Sequence, residues 1–352
     1  MSGNDTPLVT VIMPAYNAGA FIGESIASVL AQQEVSFELL VVDDCSTDDT
    51  SARVAAFDDA RIRLVRMAVN GGVSAATNRG MQLARGSYYA RLDADDLMLP
   101  GRLARQAAFM EAHPQTGCCG GAVEVFGEGL EPYRVAYPQS DSAIRCAMLF
   151  GNPYAHSSLM VRMDAVRQTG VMYDETLRQA EDYDFIERLS HGTGLANLPE
   201  VLVRYRRHAG QVTEQQGRAM REKRGVVRSR YSRRVFPGLL PEQVLLHDIL
   251  AETDTPVDSV AVPEIGELLQ YYARTGAERF GIERRDLERT VAVKWLNVCH
   301  RAGLGARGVW GYFASPLRRL GPPKYAGEAA LVAKWLRRAV AGWKQEAAHE
   351  RV

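Results

Sequence analysis

"FELLVVDD", residues 37–44, decides how this chain folds. Phe37, Leu39, Leu40, Val41 and Val42 form an almost unbroken apolar run that stops at two aspartates. A strand with one wet face alternates apolar and polar residues; a run without alternation is buried on both faces, as in a parallel sheet covered by helices. The neighbouring segments agree. "LVTVIMP" (8–14), "RIRLVRM" (61–67) and "SYYARLD" (87–93) read as further strands. Helical periods lie between them: "AGAFIGESIASVLAQQ" (18–33) spaces Phe21, Ile22, Ile26, Val29 and Leu30 along one face, Ser46 to Asp49 can cap a helix from about Thr50 to Phe57, and "SAATNRGMQLARG" (74–86) ends at a glycine. Strands alternating with helices predict an α/β fold whose mostly parallel sheet is sandwiched by helices. Ligands of such sheets bind at the carboxyl ends of the strands, beside a switch in strand order, and Asn17, Asp43, Asp44, Asp93 and Asp95 all fall at such ends.

"ARLDADDLML" (90–99) crowds three aspartates into four positions at the end of an apolar strand. Carboxylates so close repel one another, so the cluster is either a solvated turn or the seat of a positive charge. Bulk charge does not point to nucleic acid, because Lys plus Arg equal Asp plus Glu at 42 each. The five cysteines include the adjacent pair Cys118-Cys119 and no C-x-x-C, which argues for free thiols in a reducing compartment and against a zinc site. The N-terminal "MSGNDTP" lacks a signal-peptide pattern, and no apolar run approaches the roughly 18 residues of a membrane span. The expectation is a cytoplasmic protein.

With 352 residues the chain exceeds what one hydrophobic core usually serves. After Pro100 the pattern loosens: "RLARQAAFMEAH" (102–113) is helical, the Gly- and Cys-rich stretch 117–131 suggests short antiparallel strands, and "SSLMVRMDAV" (157–166) and "LPEVLVRYRRH" (198–208) each offer another strand. Beyond about Gln216 the composition turns to long Arg-rich helical segments. The expected organisation is one domain over residues 1–220 and a helical C-terminal region over 221–352.

Five pieces in order, "VTVIMPAYN" (9–17), "VVDDCSTDDT" (41–50), "NGGVSAATNRG" (70–80), "RLDADD" (91–96) and "EDYDF" (181–185), make residues 7–215 resemble the family 2 glycosyltransferases, which have the Rossmann-like GT-A fold. The resemblance implies transfer of a sugar from a nucleotide-sugar, most often UDP-linked, to the hydroxyl of a glycan or lipid-linked acceptor. Two carboxylates at i and i+2 leaving a strand can share Mn²⁺ or Mg²⁺ while phosphate and water supply the other oxygens. On the resemblance Asp95 is the direct ligand, Asp93 and Ala94 lie against ribose or a water-mediated contact, and Asp96 supports the turn. Asp44 accepts from a base N–H, with Asp43 or Ser46 as the helix-capping alternative; Pro14, Ala15, Tyr16 and Asn17 line the nucleoside.

"NGGVSAATNRG" fails the G-x-G-x-x-G spacing and follows the third strand, so it is not a dinucleotide fingerprint. Gly72 permits close backbone approach, and Asn78 faces either the donor site or the sheet. Glu181 and Asp182 open an amphipathic helix, where the dipole alone would welcome them. The resemblance makes Asp182 the general base of an inverting transfer, with Glu181 its neighbour. His156 lines the acceptor side or hydrogen-bonds within the core, while Arg206 and His208 neutralise phosphate, His208 also counting as a metal ligand and Arg206 as an acceptor-side residue.

"AALVAKWLRRAVAGWK" (329–344) puts Leu331, Trp335, Ala339 and Trp343 on one stripe with Lys334, Arg337, Arg338 and Lys344 mostly elsewhere. That pattern suits peripheral contact with the inner face of an anionic membrane, or simple docking onto its own domain. Two other functions compete with a glycosyltransferase. A sugar-nucleotide nucleotidyltransferase would want a basic residue after the first strand, and "PAYNAGAF" has none; a non-catalytic nucleotide-sugar binder would have no use for both acidic pairs.

Overall fold

The computed structural model describes residues 6–208, 217–252, 256–302, 312 and 314–320. Nine strands run β1 (Val9–Ala15), β2 (Phe37–Asp43), β3 (Ile62–Arg66), β4 (Tyr88–Arg91), β5 (Leu97–Met98), β6 (Thr116–Gly127), β7 (Leu130–Val135), β8 (Met160–Arg162) and β9 (Gly194–Arg207). Among them lie α1 (Ile22–Leu30), α2 (Thr50–Ala55), α3 (Val73–Leu83), α4 (Arg102–Ala112), α5 (Asp141–Met148), α6 (Met163–Thr169) and α7 (Glu181–Leu189); α8 (Gly217–Val235), α9 (Pro241–Ala251), α10 (Val262–Thr275) and α11 (Arg284–Arg301) follow. One sheet has the order β3-β2-β1-β4-β8-β6-β9-β5, with β7 beside β6. β3, β2, β1 and β4 are parallel, β8 and β5 are antiparallel to their neighbours, and β6 pairs in parallel with β9.

The apolar run of β2 is explained by its two covers. Leu39 and Val41 join one core with Ile22, Ile26 and Val29 of α1, whereas Leu40 and Val42 face Ala76 and Leu83 of α3. Close contact there needs Gly80, where a Cβ would come within 2.5 Å of Ile12.

Two expectations need correction. Residues 117–131 are not a series of short strands: β6 is a single long strand, antiparallel to β7 and β8 as expected but parallel to β9, and its glycines make room instead of breaking it. A Cβ on Gly120 would meet the Tyr154 ring at 2.6 Å, and one on Gly121 would meet Leu202 at 2.4 Å. Only Met160–Arg162 of the 157–166 stretch is a strand; Met163, Ala165 and Val166 are buried along the short helix α6, which stops at Gly170 with φ 67°.

The chain divides into two compact units, one of Met1–Ile144 and Asn152–Val227, the other of Arg145–Gly151 and Arg228–Val352. Within the second, His247 is buried, its Nε2 bonding Leu149 O at 2.6 Å and its Nδ1 the Tyr272 hydroxyl at 2.8 Å. Burial holds this imidazole neutral, down to about 3. No helix among the described residues is long and apolar enough to cross a membrane, and the 329–344 stripe lies outside the described residues.

At the amino end of the first sheet, buried Glu38 accepts from Thr10 Oγ1 (2.7 Å), Arg63 Nη1 (2.8 Å) and Arg85 Nε (2.9 Å). Burial alone would raise its pKa, but these donors reverse that and lower it to about 2. A carboxyl lowered by folding stabilises above its unfolded pKa and loses that contribution as pH falls through the folded one. Glu38→Gln should therefore be about 2 kcal/mol less stable than the wild type at pH 7, and the gap should close between about pH 4.5 and 2 in urea melts. A gap independent of pH would refute the ionic account.

Candidate active site

The carboxyl ends of β1, β2 and β4 meet where the strand order reverses between β1 and β4. Asp44 N–H donates to Ala15 O at 2.8 Å, so the turn after β2 sits beside the turn after β1. There Asn17 adopts φ 49°, a left-handed conformation that asparagine tolerates, and its Oδ1 accepts from Thr47 N–H at 2.9 Å. Pro14 and Ala15 are buried, whereas Tyr16 is 53% exposed. The two aspartates of β2 divide their tasks. Asp43 is structural, accepting from Ser46 N–H (2.9 Å), Ser51 Oγ and Arg66 Nε (3.2 Å). Asp44 holds the next loop, its two oxygens accepting from Gly71 N–H at 2.8 Å and Gly72 N–H at 2.7 Å. That grip requires Gly72 at φ 86°.

The three aspartates of the 93–96 turn are each held differently. Asp93 Oδ1 accepts from Nε of the buried Arg91 at 2.8 Å, and Asp93 N–H donates to Ser157 Oγ at 3.1 Å. Burial opposes the charge on Asp93, the Arg91 guanidinium overrides it, and the carboxyl sits below its ordinary range. Ala94 is buried, its carbonyl accepting from Ser25 Oγ at 2.9 Å. Asp95 is a quarter exposed, with Oδ2 3.0 Å from Nε2 of His208. Asp96 is buried; Oδ1 accepts from Arg206 N–H at 2.8 Å and Oδ2 has no hydrogen-bond partner among the described residues. Burial, then the charges of Asp95 and Asp93, push it well above the ordinary carboxylate range.

Arg206 is tied to this turn. Its Nε donates to Asp95 O at 2.8 Å, its Nη2 pairs with Glu24 at 2.8 Å, and its guanidinium lies over the rings of Phe21 and Phe126. Among the described residues no group of three or more His, Cys, Asp or Glu side chains is arranged to hold a metal alone. Asp95 and His208 nevertheless offer an oxygen and a nitrogen donor side by side, next to an orphaned buried Asp96 oxygen. This donor set and its excess negative charge fit a divalent cation that takes its remaining ligands from phosphate and water.

Glu181 and Asp182 open α7. Asp182 Oδ2 accepts from Asn152 Nδ2 at 2.7 Å, and Oδ1 from Tyr183 N–H at 2.7 Å. Glu181 is buried and its Oε2 has no partner among the described residues. Burial, then the Asp182 charge, raise it to about 7. His156 Nε2 lies 2.9 Å from the Tyr173 hydroxyl, which also meets the hydroxyl of Tyr89. Burial and then the Arg91 charge hold the imidazole down to about 4, while the charges of Asp93 and Asp182 oppose them. His156 thus stands within the fields of both acidic groups.

The model for glycosyl transferase family 2 matches residues 10–169. An uncharacterised glycosyltransferase of Haemophilus influenzae is 33% identical over 218 residues, which are 59% of this chain and 68% of that protein. The chain belongs to glycosyl transferase family 2. A further relative, the Escherichia coli UDP-Glc:alpha-D-GlcNAc-diphosphoundecaprenol beta-1,3-glucosyltransferase WfgD, is 42% identical over 106 residues, 30% of this chain and 42% of its own. The fold is shared with S. aureus TarS 1-349, crystallised in complex with UDP-GlcNAc, at a TM-score of 0.56 and 19% identity over 85% of this chain and 92% of that one. This glycosyltransferase therefore has a GT-A fold with a helical C-terminal part.

Two features of this glycosyltransferase escape a linear reading. Asn152 lies within the "NPYAHSSLM" segment, yet its amide meets Asp182 thirty residues on, which no local pattern announces. Asn78 has both ends of its amide engaged, Oδ1 with Tyr173 N–H (2.9 Å) and Nδ2 with Tyr173 O (2.9 Å) and Glu175 (3.0 Å). It clamps the segment that carries Tyr173 to His156. Asn78→Ala should cost about 2 kcal/mol of stability and speed hydrogen exchange at the Tyr173 amide. Unchanged exchange there would contradict the clamp.

Proposed function

We propose that this glycosyltransferase is an inverting enzyme that moves a sugar from a UDP-linked donor to the hydroxyl of a glycan or lipid-linked sugar, with Mn²⁺ or Mg²⁺ as cofactor. The observation that carries the reading is that two acidic centres, one holding Asp93 and the Asp95–His208 pair and the other Glu181 and Asp182, act through Asp93 and Asp182 on His156. On this reading Tyr16 offers a face to the base, and Asp44, each of whose oxygens keeps a second lone pair, accepts from the base N–H. A divalent cation held by Asp95 and His208 supplies, when bound, positive charge against the departing diphosphate. Asp182 takes the proton of the acceptor hydroxyl as its oxygen attacks the anomeric carbon. The bond to the diphosphate breaks, its electron pair leaves with UDP, and the configuration inverts. Asn152 and the Tyr183 amide hold the base in place for that attack. The five cysteines, all unpaired, accord with a reducing cytoplasm.

Asp182→Asn preserves size and removes proton acceptance, so turnover should fall about 10²–10⁴-fold with UDP affinity unchanged. Proton NMR of the first hydrolysis product of a UDP-α-sugar should show the β anomer. Retained α configuration, or a variant that loses UDP binding along with turnover, would overturn the assignment.

A further inference from the structure

Three side chains form a hydrogen-bonded line that ends on His156. Its Nε2 lies 2.9 Å from the Tyr173 hydroxyl, and that hydroxyl meets the hydroxyl of Tyr89. Both tyrosines are buried, and burial keeps both phenols protonated. Tyr173 is held from two directions: Asn78 grips its backbone, and its ring stacks on Phe185 of α7 with centroids 4.3 Å apart. Each hydroxyl has one proton to give, and a neutral imidazole donates from one nitrogen and accepts at the other. Among the described residues the Tyr89 hydroxyl has no partner except Tyr173. If His156 donated from Nε2, the proton of Tyr89 or of Tyr173 would be buried without an acceptor, which costs free energy. One arrangement satisfies every proton: Tyr89 donates to Tyr173, Tyr173 donates to Nε2, and the imidazole proton sits on Nδ1. Nδ1 itself has no hydrogen-bond partner among the described residues and is not shut off from solvent, the ring being half-buried.

The segment that carries His156 is fastened to both acidic centres. Asn152 donates to Asp182 at 2.7 Å, and Ser157, the residue after His156, accepts from the Asp93 N–H at 3.1 Å. We propose that His156 is a specificity residue whose Nδ1–H donates to a hydroxyl oxygen of the donor's sugar, and that Tyr173 and Tyr89 are positioning residues fixing the tautomer that presents this proton. A tautomer set by the hydrogen bond on the other nitrogen does not readily rearrange to suit the ligand, so the site reads an acceptor oxygen and not a donor group. The proposal rests on the reading of the 93–96 turn as the seat of the donor diphosphate, because Ser157 ties His156 to that turn.

The test is a long-range proton–nitrogen NMR spectrum of the full chain with labelled histidine, His156 being assigned by the signal that His156→Asn removes. Without ligand, Nδ1 should carry the proton and Nε2 should have the shift of an unprotonated nitrogen. Tyr173→Phe removes the donor to Nε2 and should raise the fraction protonated there. UDP-glucose or UDP-N-acetylglucosamine, added with Mg²⁺, should shift the Nδ1 signal, and UDP should not. In calorimetry His156→Ala should weaken binding of the nucleotide-sugar that gives the shift about tenfold, with UDP affinity within about twofold. His156→Asn, whose Nδ2 can stand in for Nδ1, should recover most of that loss. A proton on Nε2 in the wild type, or a tautomer that Tyr173→Phe leaves unmoved, would overturn the tyrosine relay. An Nδ1 signal shifted by neither nucleotide-sugar, or shifted as far by UDP, would overturn the sugar contact. A wild type that binds no UDP would refute the donor reading and the sugar contact with it, while the ligand-free spectrum would still decide the tautomer.

Discussion

Arg91 is the buried charge around which the site is arranged. It is 1% exposed, at the end of β4, and a guanidinium so placed must be paired. Asp93 supplies the countercharge and the Thr77 hydroxyl a further acceptor, so the first aspartate of the acidic turn is tied back to the sheet. With Asp93 fixed, the next two carboxyls splay apart. Asp95 turns to His208, and Asp96 turns inward to the Arg206 amide. The same guanidinium keeps His156 uncharged by adding its repulsion to the cost of burial. One strand-end cation thus acts on the charge states of both Asp93 and His156.

The parallel half of the sheet was legible because its strands are short, apolar and separated by helical periods. That Asp44, Asp93 and Asp95 fall at the carboxyl ends of β2 and β4 was legible too, because it depends only on topology. Asp43 is consumed by Ser46, Ser51 and Arg66, which is the capping alternative the sequence offered for it. Within residues 117–131 the length of β6 was misread because glycine is ambiguous: it marks a break when it bends the chain and a close approach when another side chain fills its place. Tyr154 and Leu202, which fill it here, lie far along the sequence. The contacts of Arg206 were illegible for a similar reason, since its partners Glu24, Phe21 and Phe126 come from distant elements.

The two acidic centres solve opposite problems. The turn after β4 gathers more negative charge than its own residues neutralise, which suits a site that receives a cation with its diphosphate. The start of α7 keeps Asp182 hydrogen-bonded to Asn152 and raises the neighbouring Glu181 to about 7, an arrangement that suits the proposed base. Carboxyls at both centres are therefore close together without being interchangeable.

The central claim is that the 93–96 turn is built for a cation shared with the donor diphosphate, and the most direct measurement is the affinity for UDP with Mn²⁺ and with excess chelator, in the wild type and in Asp95→Asn. The account predicts that Mn²⁺ tightens UDP binding about tenfold or more in the wild type and has little effect in the variant. Equal UDP affinity in Mn²⁺ and in chelator for the wild type would contradict it.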